Sequence, residues 1–439
     1  MKKKILYAIA AFAFVGASAF VILNKTEYQE KAETVSYKLL PRKQSLSYAK
    51  EWQVTQNNAA VLSAKIKNNS ADIKSLAALA SIYLQEARIT GNYEYYNDAA
   101  LHTIQSILEK DANNFDALSL KATILLSQHQ FEDALVVGGQ LANRFPYNAY
   151  VQGLLVDANV ELGNYAAALE AADKMISIRP DIRSYSRIAY LREIHGDIPG
   201  AIDAMKLAVD AGAPGDENTE WCRYQMANLY EKIGKTKEAE MNYAITLNNR
   251  ENYPYGLIGM AGIAVTKKDF SKALSLYQQA DTLFSNHITK EGIAEVYNLT
   301  GETEKAKAMA AEILAHMKAI SKAGNEDLEM AHAYIGIEDY NTALEYAMKE
   351  YNRRPENIEV NETIAIIYYK QGDYPNALKY INAALKTNCK NPELLSYAGL
   401  IYFKSGKTDD ARKTLQQAVK NNPVISADLM TDVKKILNS

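Results

Sequence analysis

The stretch EDYNTALEYAMKEYNRRP (338–355) returns as GDYPNALKYINAALKTNC (372–389) and again as GKTDDARKTLQQAVKNNP (406–423). Each copy opens on a turn, reaches an alanine, and places another small or apolar residue four positions later. Earlier copies are GNYAAALEAADKMISIRP (163–180) and KDFSKALSLYQQADTLFS (268–285). The anchoring alanines are Ala100, Ala134, Ala168, Ala201, Ala239, Ala273, Ala306, Ala343, Ala377 and Ala411. They lie 34, 34, 33, 38, 34, 33, 37, 34 and 34 residues apart. The phase holds through ten units while the residues between them differ, so this is an internal repeat and not compositional drift.

A second small residue precedes most of these alanines by twelve positions, as at Ala122, Ala189, Ala227, Ala261, Ala331 and Ala365, with Val156 an exception. An aromatic often follows three positions on: Tyr83, Tyr230, Tyr297, Tyr334, Tyr368 and Tyr402. Spacings of three and four on both sides of a turn predict two amphipathic helices per unit. Glycines such as Gly163, Gly196, Gly234 and Gly372 sit between the two, where a left-handed residue ends a helix at little cost. Pro146, Pro180, Pro355 and Pro423 stop the second helix of their units.

This pattern resembles the tetratricopeptide repeat, a 34-residue helix-turn-helix. The resemblance implies an all-α fold, a right-handed superhelical α-solenoid of about ten helix-turn-helix units over residues 73–424. The small residues would lie where paired helices cross. Departures exist: Thr246 and Glu350 stand where a small residue is expected, and the first unit is eight residues longer around ITGNYEYY (89–96). Insertions at APGDEN (213–218) and KAGNED (322–327) predict longer connections. Residues 425–439, with SADLMTDVKKILN (426–438), read as a C-terminal capping helix, which an open array needs over its last apolar face.

Ahead of the repeats, residues 1–24 read as a transmembrane anchor or a signal peptide. Three lysines precede the run ILYAIAAFAFVGASAFVIL (5–23), whose 19 residues approach the length needed to cross a hydrocarbon core of about 30 Å. Ala17-Ser18-Ala19 offers a cleavage site, but cutting there leaves Phe20–Leu23 as an apolar new terminus, which favours the uncleaved anchor. Either way the repeats are expected on the extracytoplasmic side, periplasmic or cell-surface. Residues 25–72 read as a Lys- and Glu-rich spacer and, from Ser45, a leading helix packed on the first unit.

Composition narrows the function. With 48% hydrophobic and 23% charged residues the chain folds. Its net charge of −3 argues against nucleic acid as a partner. Cys222 and Cys389 fall in distant units and read as inert thiols. The six histidines are scattered without metal-ligand spacing, and no GxGxxG, P-loop or GxSxG occurs. Acid pairs such as Asp409/Asp410 lie at helix starts, where negative charge suits the dipole. No catalysis, cofactor or metal is expected.

The unusual count is 30 Tyr against 9 Phe and 2 Trp. In the family the first helices line a concave groove. Carried over by position, that groove holds Tyr190, Trp221, Tyr224, Asn228 and Tyr255, with Glu193, Glu359 and Glu362 beside them. Chaperone-binding members clamp a peptide carboxylate with paired Lys and Asn; here Tyr224 with Asn228 lacks the cation. The expectation is a non-catalytic scaffold that binds a peptide or protein partner in the groove. The alternatives are a structural or assembly subunit of an envelope complex and a helical platform for a glycan-processing partner enzyme.

Overall fold

The computed structural model describes residues 37–48, 50–284, 287–320, 325–420 and 425–438. They form α-helices, two short 3-10 turns and connecting loops, with no strand among the described residues. The expected anchor at 5–23 lies outside the described residues; within them no helix is long and apolar enough to cross a membrane.

A leading helix, Glu51–Asn68, precedes ten helix pairs among the described residues. In order they are Ile73–Thr90 with Tyr93–Leu108, Phe115–Ser127 with Phe131–Arg144, Ala149–Glu161 with Tyr165–Ile178, Ile182–Ile194 with Ile198–Asp210, and Glu217–Lys232 with Thr236–Asn249. Then come Pro254–Thr266 with Phe270–Leu283, His287–Leu299 with Thr303–Ile320, Asp327–Gly336 with Tyr340–Arg353, Ile358–Gln371 with Tyr374–Ala384, and Pro392–Lys404 with Thr408–Ala418. Helix Ala427–Leu437 closes the array.

Local chemistry sets these boundaries. First helices begin on Asp72, Asn114, Asn148, Asn357 and Asn391, whose side-chain oxygens accept backbone N–H groups of the opening turn. Such a cap contributes about 1 kcal/mol. Most pairs turn on a residue in the left-handed region: Gly163 and Gly196 where the sequence offers glycine, but His129, Lys268 and Glu338 at φ 55°, 61° and 63° where it does not. At most helix crossings the predicted alanines are sealed. Ala80, Ala168, Ala227, Ala343 and Ala377 have no exposed surface, so adjoining backbones approach closely and larger side chains interlock around them. Ala294 departs from this and stays half-buried. The excess in the first unit lengthens both of its helices, to 18 and 16 residues. At the far end Leu429, Val433 and Ile436 of the closing helix cover Leu400 and Leu415.

The array coils back on itself. The turn inside one pair meets the loop that follows the fifth pair further along. Asn325 donates from its backbone N–H to Gln128 O (3.4 Å) and from Nδ2 to His129 O (3.3 Å). Arg354 Nη1 reaches Glu161 Oε2 at 2.6 Å, Asn357 Nδ2 donates to Glu161 O at 2.9 Å, and Ile358 N–H donates to Tyr165 Oη at 2.9 Å. Gly91 packs against the Phe284 ring, Gly163 against the Glu356 backbone and Gly196 against Asn388 O. These contacts form one polar seam along which two successive turns of the coil touch.

Residues 37–48, expected to be spacer, are instead a docked strap. Tyr95 and Tyr96 bond Lys38 and Leu40 of the strap, and Tyr83 Oη donates to Tyr37 O. Arg42 forms two parallel bonds to Glu86, 2.8 and 2.5 Å long, and neither side chain has exposed surface. The helix expected from Ser45 starts at Glu51, because Tyr48 takes φ 42° and breaks the run.

Candidate functional site

The structure divides the predicted groove residues. Tyr224 lies 5.3 Å from Tyr255 and 5.8 Å from Tyr243, centroid to centroid. Tyr243 is fully buried, and its hydroxyl donates to Asn228 Oδ1 at 2.5 Å. Tyr224, Asn228 and Tyr255 are thus brought together around Tyr243, and Tyr255 continues the aromatic chain to Phe284 at the seam, 5.9 Å away. Trp221 stands apart from them. It packs against the apolar cluster of Ile198, Met205 and Cys222, so its indole serves the contact between the fourth and fifth pairs. Tyr190 has no such role. It leaves 45% of its surface open, although protein surrounds it on several sides. Burial raises its phenol pKa, with Glu161, Glu359 and Glu193 adding to the rise.

Beside Asn228 lies a cavity of about 270 Å³ lined by Glu193, Gln225, Asn228, Leu229, Glu231 and Lys232. Lys232 supplies the cation that the sequence comparison found missing beside Asn228. It falls one helical turn further on, and Glu193 takes it as an ion-pair partner. The signal was therefore present as an i, i+4 pair on the same helix. What the linear order hides is the company Lys232 keeps. Glu362 of the ninth pair and Glu393 of the tenth lie within electrostatic reach of it, across the inside of the coil.

This interior is rich in carboxylates. Burial pushes Glu362 up to about 8, with Glu359 and Glu393 adding repulsion and Lys232 opposing. Burial likewise pushes Glu161 up to about 7 against the pull of Arg354. A carboxyl raised above its unfolded value binds a proton in the coil that the unfolded chain has released, so stability falls as pH rises from about 4.5 towards 8. Burial lowers the pKa of His287, which loses stability on acidification below 6.5, so the clean window lies above that value. The expected result is a denaturation midpoint that declines between about pH 6.5 and 8. In Glu362→Gln the decline is shallower and the midpoint at the alkaline end higher. Equal slopes for both proteins would remove Glu362 as the source.

Among the described residues no three His, Cys, Asp or Glu side chains converge to hold a metal ion. Both thiols are buried, and burial raises each pKa, Cys222 to about 12. Neither is a poised nucleophile.

Comparison with known families meets this geometry in the ninth and tenth pairs. Residues 362–424 match the family model described as Tetratricopeptide repeat. That segment contains the crossing residues Ala365, Ala377, Gly399 and Ala411, all of them buried. A solved tetratricopeptide repeat protein from Parabacteroides merdae ATCC 43184, a crystal structure at 2.39 Å, is similar at 15% identity and a TM-score of 0.35. The match covers 59% of this chain and 99% of that one. No curated protein matches.

Proposed function

We propose that all ten helix pairs are tetratricopeptide repeats wound into a right-handed superhelix, and that the coil is a non-catalytic scaffold binding a peptide or protein partner on its inner wall. Residues 5–23 tether it to a membrane with the repeats on the extracytoplasmic side. The observation that carries the binding reading is Tyr190. A large amphipathic ring is left open on the inner wall, near the cavity beside Glu193, and tyrosines so placed are frequent anchors of protein interfaces. The repeat match supports the same reading, since stacked helix pairs of this kind expose long concave surfaces.

The test is capture of crosslinked partners from membranes by the wild type and by Tyr190→Ala, whose fold is checked by circular dichroism. The expected outcome is a specific partner whose recovery drops about tenfold or more in the variant. Identical recoveries would move the working surface away from the inner wall.

A further inference from the structure

The seam between the two turns is a row of separate contacts: hydrogen bonds, glycine approaches, the Arg354–Glu161 ion pair and Ile358 packed on the cluster of Tyr165, and a neutral hydrogen bond among them is worth only about 1 kcal/mol net. The strap is different. It is gripped by the first turn through Arg42 and Glu86 and through the hydroxyls of Tyr83, Tyr95 and Tyr96. It is gripped by the second turn as well. Leu46 is 1% exposed and belongs to the apolar core of Leu257, Ile258 and Ala261, some two hundred residues along. Lys43 Nζ donates to Thr282 O at 2.5 Å. Arg250 lies 3.6 Å over the Tyr48 ring and bonds Glu51 at 2.9 Å, while the other face of Glu51 meets Arg42 at 2.8 Å. Glu86, Arg42, Glu51 and Arg250 therefore alternate in charge from one turn of the coil to the other.

We propose that residues 37–48 are a releasable latch: docked, they clamp the first turn of the coil on the second and close the interior; lifted, they let the turns part along the polar seam. The division of labour supports this. The strap gathers apolar burial at Leu46, a cation stacked on Tyr48 and the alternating charges into one short segment that can leave as a unit, whereas the seam contacts, Arg354 on Phe131 and Lys386 on Tyr165 among them, are spread along several helix pairs. Tyr48 provides the joint, a non-glycine residue held at φ 42°, a conformation that costs energy and relaxes on release. As a control on entry to the inner wall, the latch rests on the reading of that wall as the partner surface. Its closure of the coil can be measured with no partner present.

The experiment uses the full chain carrying Leu46→Asp, which breaks the grip on the second turn and leaves Arg42 and Glu86 in place. Leu46→Met is the control. Small-angle scattering should show a radius of gyration larger by on the order of 10% as the turns part. The Ile358 amide, bonded across the seam to Tyr165, should exchange at least about tenfold faster, while helical content stays at the wild-type level. A milder variant, Lys43→Ala with Tyr48→Ala, should shift both readouts in the same direction. Unchanged scattering and exchange in Leu46→Asp would overturn the latch, since the coil would then close without it. Loss of helix in both variants would overturn it too, because the strap would be part of the fold's core. An opened coil whose partner capture still ignores Tyr190 would sink the inner-wall reading and leave the latch standing.

Discussion

Replacing Arg42 by alanine is expected to lower the unfolding free energy by about 3 kcal/mol. The guanidinium makes two parallel bonds to Glu86, and both side chains are fully enclosed. Removing it leaves an enclosed carboxylate near Tyr96 with no cation beside it, and breaking a buried pair in this way costs about 3–5 kcal/mol. The lower end applies here because lifting the strap returns Glu86 to water and caps the loss. Arg42→Lys should recover only part of it, since an ammonium cannot reproduce the parallel bonds. Adding Glu86→Gln to the alanine variant should restore stability, because a neutral amide costs less to bury than a charge. The check is a urea titration followed by circular dichroism. A loss under about 1 kcal/mol, the value for a surface pair, would mean that the strap is not docked at Glu86.

The second large effect is expected at Gly163. This residue lies at φ 79°, and a Cβ built on it would stand 2.3 Å from the Glu356 backbone carbon of the facing turn. Alanine there meets two costs: about 1 kcal/mol for the left-handed conformation and about 1–3 kcal/mol for overpacking against backbone that cannot move alone. Gly372 is the internal control. It has the same φ of 79° and the same place in its helix pair, but nothing lies within 4 Å of its Cβ position. Gly163→Ala should therefore lose about 3 kcal/mol and Gly372→Ala about 1 kcal/mol. The comparison isolates the contact between turns, because the conformational part is common to both. Equal losses would show that the turns do not touch.

Much of the architecture was legible in the chain, for local reasons. Ala343 and Ala377 could be placed at helix crossings because the i, i+3 and i+4 spacing of their neighbours defines a face, and a small residue in its centre has one use. Gly163, Gly196 and Gly372 marked the turns between paired helices through chemistry that acts over two or three residues. The cavity lining was half legible. Asn228 and Lys232 share a helix face that periodicity could reveal, and Tyr190 was picked out by position alone. Trp221 shows where that reasoning stops, since a tryptophan on a first helix is equally suited to an open wall or to the apolar cluster against which it packs.

Lys25–Lys50 read as spacer because its charges show no helical period, and periodicity is blind to an extended segment held by partners elsewhere. Arg42 and Leu46 have meaning only beside Glu86 and Leu257. The sequence by itself determined the helix pairs, their phase, their turns and the closing helix, because each depends on residues within a turn or two of one another. The tertiary structure alone decided that the coil closes. A small rotation at every pair accumulates over five or six pairs until Glu161 meets Arg354 and Gly196 meets Asn388. No local pattern records that sum, and the residues that meet are outwardly ordinary helix ends.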